Sequence, residues 1–357
     1  MKTTFRAFAL LLACATARAA EPAGSADPNE NARILAGLPP SPNSPLVAIT
    51  RASSWQEHAK FFDAAWTSLE KRQLTKIRTW TAANLRAPKA TCFYFFSGPD
   101  YLYANAFYPS ASTYILCGLE PVGHIPDATK TTNLIAALQG LEKSLNDMLN
   151  FSFFKTKEMR EELKGNQFDG TIPILFVFLA RSGKTIQEVS FVGIDKGGNE
   201  VADSGKGGTP GVKIVFKSAG GARQTLYYFT TDLSNEGVAH SGFLKFCERF
   251  GAGDSLVKSA SYLLHSDGFS TARRFLLDQS VTLAQDDSGI PIGYFDGTKW
   301  NVQPFGKYLG PIELFKQHYQ PKMKELFDAG HPAPLEFGIG YRWSPSQSNW
   351  IVATRKG

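Results

Sequence analysis

An α/β fold is predicted, a mixed sheet built from two strand–helix–strand units with added antiparallel hairpins. Three observations predict it. First, in the stretch 92–126 the aromatic run Cys92-Phe93-Tyr94-Phe95-Phe96 breaks at Ser97-Gly98-Pro99. A short apolar segment then ends at Pro109, and a second apolar run ends at Gly118-Leu119-Glu120-Pro121. That is the pattern of strand, short helix and strand. Second, 261–291 repeats this order, with strands at 261–266 and 281–284 around a short helix at 269–278, and Asp286-Asp287-Ser288-Gly289 as the polar exit. Identity between the stretches is low, so they read either as a duplicated unit or as two unrelated pieces. Third, Ala219-Gly220-Gly221 between the runs 212–216 and 224–230 is a hairpin signal.

Length and composition fit a globular protein. The 357 residues are 43% apolar and 20% charged, far from a disordered mix. They suffice for an N-terminal half, 46–168, and a C-terminal half, 169–357, or for one continuous domain. Aromatic residues make up 13% and include 27 Phe, which implies a core of flat, stiff side chains or an aromatic groove. The net charge of +6 is not gathered into a basic run. It reads as a solvated surface, and no nucleic-acid partner is expected.

The remaining elements follow in order. Residues 21–45, with Pro39, Pro40, Pro42 and Pro45, read as an extended leader. A short strand is expected at 46–50. Ser54-Trp55-Gln56-Glu57 is a capping-box pattern, and Phe61, Phe62, Ala65, Trp66 and Leu69 follow at helical spacing. A second helical stretch carries Leu74, Ile77 and Trp80. The Trp residues read as core rather than as a binding face. Helices are expected at 132–150 and 155–164. The continuously apolar run 172–179 reads as a buried strand, and Ser182-Gly183-Lys184-Thr185 as a hairpin turn rather than a phosphate loop. A strand at 185–194, a Gly-rich loop at 197–211 and a helix at 241–250 follow. A hairpin at 294–305, helices near 312–318 and 321–329, and a strand pair at 337–343 and 349–354 close the chain.

The first 20 residues read as an export signal. Lys2 and Arg6 precede an apolar run, and Ala17-Arg18-Ala19 is a small-residue cleavage site. Leu11-Leu12-Ala13-Cys14 resembles a lipoprotein box, which would tether the protein through a lipid on Cys14. A periplasmic or secreted location is expected, with no membrane contact beyond that lipid. Cys92, Cys117 and Cys247 are left in the mature chain. If the strands carrying Cys92 and Cys117 run parallel, the two lie about 13 Å apart, beyond disulfide reach.

In open α/β sheets ligands sit beyond the carboxyl ends of the strands. Those ends carry Ser97, Asp100, Glu120 and His124 in one unit and His265, Asp267, Asp286 and Asp287 in the other. Together they could bind a ligand, hold a divalent metal or share acid–base work. Singly, each fits a helix cap or turn. Gly253-Asp254-Ser255-Leu256 with Asp328-Ala329-Gly330-His331 resembles the nucleophile and Asp-x-x-His blocks of the GDSL hydrolases. That resemblance implies Ser255 as nucleophile, His331 as base and Asp328 as its orienter. It covers eight residues, and the family's Gly and Asn oxyanion blocks are not evident. No motif implies a cofactor. The patterns Phe96-Ser97-Gly98-Pro99-Asp100, Gly118-Leu119-Glu120-Pro121-Val122-Gly123 and Gln285-Asp286-Asp287-Ser288-Gly289-Ile290-Pro291 together resemble a group of exported bacterial proteins without an assigned activity. The expected role is binding of a small molecule or an exported protein partner, with hydrolysis as the alternative.

Overall fold

Side-chain alternation in the central strands decides the layering. In β1 (Thr91–Tyr94) and just beyond it, Cys92 and Tyr94 face one hydrophobic core while Phe93 and Phe95 face another. A strand buried on both faces reads as a continuous apolar run, as it does here. The computed structural model describes residues 27–151, 168–202 and 208–356. It contains one ten-stranded mixed sheet. The further strands are β2 (Thr113–Gly118), β3 (Thr185–Ile194), β4 (Glu200–Ala202), β5 (Thr209–Lys217), β6 (Arg223–Thr230), β7 (Gly253–Val257), β8 (Ser280–Gln285), β9 (Trp300–Gly306) and β10 (Asn349–Arg355). Their order is β4-β3-β5-β6-β2-β1-β7-β8-β10-β9. The segment β6-β2-β1-β7-β8 is parallel, and antiparallel strands extend it on both sides. The sheet therefore runs unbroken across the 168/169 division.

The helices among the described residues are α1 (Pro28–Leu35), α2 (Ser53–Leu69), α3 (Thr75–Asn84), α4 (Tyr101–Phe107), α5 (Leu134–Phe151), α6 (Ile172–Arg181), α7 (Asn235–Ser241), α8 (Phe243–Glu248), α9 (Ser270–Gln279) and α10 (Pro321–Gly330). Helices α1 to α6 pack on the Tyr94 face, whereas α8 and α9 pack on the Phe93 face. Trp55 and Trp66 lie in the first core, as their spacing predicts, and Trp80 meets Phe107, Phe305 and Phe337 edge-on.

Both predicted units exist, with a shift in the second. In the first, α4 crosses from β1 to β2. In the second, α9 crosses from β7 to β8. The starting strands β1 and β7 are neighbours, and the two crossovers leave in opposite directions onto opposite faces. This is a topological switch point, where an α/β sheet opens a crevice beyond its strand ends.

Several expectations are corrected. The strand of the second unit is 253–257. Residues 261–266 form a loop with a 3-10 turn at Leu263–His265. The run 172–179 is helical. Thr171 precedes Pro173 in the first turn, and packing on all sides accounts for its unbroken apolarity. Ser182-Gly183 accordingly closes a helix instead of turning a hairpin, with Gly183 left-handed at φ 67°. Residues 28–35 within the expected leader form α1, capped by Asp27 and buried through Ile34 and Leu35. Residues 45–51 form a 3-10 helix, not a strand. Helix α2 begins at Ser53 without a side-chain cap, and a π-turn, Glu70–Leu74, joins it to α3. Strand β9 pairs with β10 rather than closing a hairpin at 296–297, and 337–343 contributes only the bridge Ile339–Arg342. The expected helix 155–164 lies outside the described residues.

Candidate binding site

The loops leaving β1, β2, β6 and β7 surround a cavity of about 650 Å³ at the switch point. Ligand pockets commonly fall within roughly 300–1,000 Å³. Tyr94, Asp100 and Lys258 form its polar floor, and Phe96, Leu119, Phe269, Leu314 and Phe315 form apolar walls. Leu119 and Leu314 are 52% and 74% exposed, so the apolar lining continues to the mouth.

Asp100 is the N-cap of α4, where its Oδ1 accepts the Tyr103 N–H at 3.1 Å. Its Oδ2 accepts the Tyr94 hydroxyl at 2.7 Å and meets Lys258 Nζ at 3.1 Å. Lys258 also lies 4.4 Å from the Tyr103 ring centroid. Both ions are buried. Burial pushes the Asp100 carboxyl up despite the opposing pull of Lys258, and it pushes the Tyr94 phenol up further, with Asp100 adding to the effect.

Glu120, also buried, receives the Tyr228 hydroxyl on Oε2 at 3.2 Å, and its main-chain carbonyl accepts Tyr228 and Thr230. Two glycines make room for it. A Cβ on Gly118 would stand 2.2 Å from Glu120 Oε2 and 2.9 Å from the Cα of Gly98. Gly98 is left-handed at φ 55°, a conformation that suits glycine. Ser97 lines the cavity with its hydroxyl donated to the Gly98 carbonyl at 2.8 Å.

The loop after β7 is strained. Ser259, Ser261 and Tyr262 are all left-handed, at φ 52°, 50° and 55°. Such backbone persists where its surroundings over-determine it. Asp286 Oδ2 accepts the Ser259 N–H at 3.0 Å, Ser288 Oγ accepts that of Ala260 at 2.8 Å, and the Tyr341 hydroxyl accepts that of Ser261 at 3.1 Å. Tyr341 donates in turn to the Ser259 carbonyl. The Tyr262 hydroxyl donates to Asp287 at 2.7 Å.

Of the candidates named from sequence, Ser97, Asp100 and Glu120 line one cavity. The others do not. Asp286 and Asp287 stand behind it and brace the strained loop. Burial, then the charge of Asp287, pushes Asp286 up to about 6, and burial also raises Asp287. His265 packs against Tyr262 and His318, and burial followed by the His318 charge lowers it to about 4. Asp267 is exposed and reaches Arg273 at 3.7 Å. His124, exposed, pairs with Asp169. Among the described residues no group of three or more His, Cys, Asp or Glu side chains is placed to hold a metal ion.

The residues of the GDSL-like pattern fall on different elements. Ser255 lies within β7 itself, fully buried, with its hydroxyl 2.6 Å from that of Ser280. Asp328 pairs with Lys324 and lines a separate surface pocket with His331. The sequence pattern does not single out Lys258 and Ser259, because it puts the strand at 261–266, eight residues beyond the start of β7. A lone Lys closing the run Leu256-Val257 was the available signal. No protein-family model, curated protein or solved structure matches the chain.

Proposed function

We propose that this protein binds a small molecule in the switch-point cavity and does so without turning it over. The observation that carries this reading is the pairing of a largely apolar cavity with an ion pair, Asp100–Lys258, sealed into its floor. Apolar walls with a few fixed polar groups are the usual make-up of a ligand pocket. The acids that catalysis would need are engaged in structure. Asp100 caps a helix and neutralises Lys258, while Asp286 and Asp287 hold the loop. The reading includes export, supported by the charged, apolar and small-residue pattern of residues 1–20. N-terminal sequencing of protein recovered outside the cytoplasm tests that part.

Thermal unfolding against a panel of metabolites tests the binding. A ligand at a hundred times its dissociation constant adds about 2.7 kcal/mol. The shift should disappear in Leu119→Trp, which fills the mouth. A shift unchanged in that variant, or steady turnover of the bound compound, would overturn the reading.

A further inference from the structure

The wall of the switch-point cavity offers a ligand hydrocarbon rather than charge. Among the described residues that line it, four are charged: Asp100, Glu120, Asp232 and Lys258. Asp100, Glu120 and Lys258 are only 1%, 1% and 3% exposed, although a cavity of about 650 Å³ lies beside them. A side chain that faced this space would be wetted by it, so these three direct their charges into the protein. Asp100 and Lys258 answer each other at 3.1 Å, and Glu120 accepts the Tyr228 hydroxyl. Asp232 is exposed, and its two oxygens accept the N–H and the hydroxyl of Ser234, each at 2.8 Å.

The accessible part of the wall is apolar. Phe96, Phe269 and Phe315 are half-buried, and Leu119 and Leu314 are exposed at the mouth. A charge carried into such a site would lose its water where the buried ions already answer one another, and that desolvation is costly. An apolar body gains free energy in proportion to the area it hides from water.

We propose that the cavity takes an uncharged lipophilic molecule, its hydrocarbon or aromatic body lying against Phe96, Phe269 and Phe315 and reaching out to Leu119 and Leu314. This rests on the binding reading above and names its ligand class.

Isothermal titration of the purified protein at pH 7.5 with straight-chain alcohols from butanol to dodecanol, and with octanoate and octylamine, tests it. Each added methylene should tighten alcohol binding about three- to fourfold, and the gain should stop at the chain length that fills the cavity. Octanoate and octylamine, charged at this pH, are each expected to bind at least tenfold more weakly than octanol. The binding enthalpy of octanol should become more negative with temperature, the mark of apolar burial. Leu119→Asn and Leu314→Asn, at exposed positions that the fold can spare, should each weaken octanol at least threefold.

Octanoate or octylamine binding as tightly as octanol, and lost in Leu119→Trp, would overturn the ligand class while the binding reading stood. Alcohol binding that tightens without a length limit, or that persists in Leu119→Trp, would be partition onto the surface and would overturn it too. Absence of alcohol binding would overturn the proposal, and the metabolite panel would then judge the binding reading separately.

Discussion

Lys258, at the end of β7, and Asp100, at the start of α4, form an ion pair at 3.1 Å with side chains only 2% and 1% exposed. They join the two crossover units at the point where the sheet changes direction. Removing one member of such a pair leaves an uncompensated buried charge, which costs about 3–5 kcal/mol. Lys258→Met is therefore expected to lower unfolding stability in urea by about that amount. Asp100→Asn combined with Lys258→Met should be less destabilised than the single lysine variant. A double-mutant cycle showing simple additivity would refute the coupling.

Gly118→Ala should also be destabilising, by about 1–3 kcal/mol as overpacking typically is. The new methyl group meets both the Glu120 carboxylate and the Gly98 backbone. Adding Glu120→Ala should restore part of the loss, because the side chain can be removed while the backbone contact stays. Equal stability of Gly118→Ala and wild type, measured by thermal unfolding, would show that the cradle is looser than described.

His265 gives the protein an acid-sensitive contribution. Its folded pKa lies near 4, below the ordinary value of 6.5, through burial and then His318, with Arg273 adding to the effect. Above pH 6.5 the imidazole is neutral in both states. Between 6.5 and 4 the unfolded chain takes up a proton that the fold resists, so stability falls as pH falls. Asp286 acts oppositely. Its folded pKa of about 6 adds stability that is lost as pH rises through that value. The difference between wild type and His265→Gln isolates the histidine. Wild type should lose more stability between pH 7.5 and 4.5, and parallel curves would rule out this linkage.

The three described cysteines are expected to be inert in the folded protein. Cys92, Cys117 and Cys247 are buried and reduced, and burial raises all three thiols well above the usual range. The parallel register, in which Cys92 faces Tyr114, places Cys117 further along its strand. A thiol reagent should modify none of the three until the protein is unfolded in guanidinium. Rapid labelling of Cys92 or Cys117 at neutral pH in the native state would contradict the burial.

The sequence by itself determined the local pieces. The breaks at Ser97-Gly98-Pro99 and Gly118-Leu119-Glu120-Pro121 fixed the first unit, and with it Ser97, Asp100 and Glu120 as cavity-lining residues. Gly220-Gly221 fixed the β5–β6 turn, and helical spacing fixed the buried stripe of α2. These signals are written in residues close in the chain. Tertiary structure alone decided the rest. Residues 172–179 are apolar at every position, so no period separates strand from helix, and only the surrounding helices make them α6. Strand β7 carries Asp254 and Ser255, which look like chemistry in sequence. In the fold they are satisfied laterally, Asp254 by the N–H groups of Lys89 and Thr282, and Ser255 by Ser280. The roles of Lys258, Asp286 and Asp287 also belong to the fold. They depend on β1 lying beside β7 and on a loop braced by residues 25 to 82 positions away, and contacts over that distance leave no periodic mark in the chain.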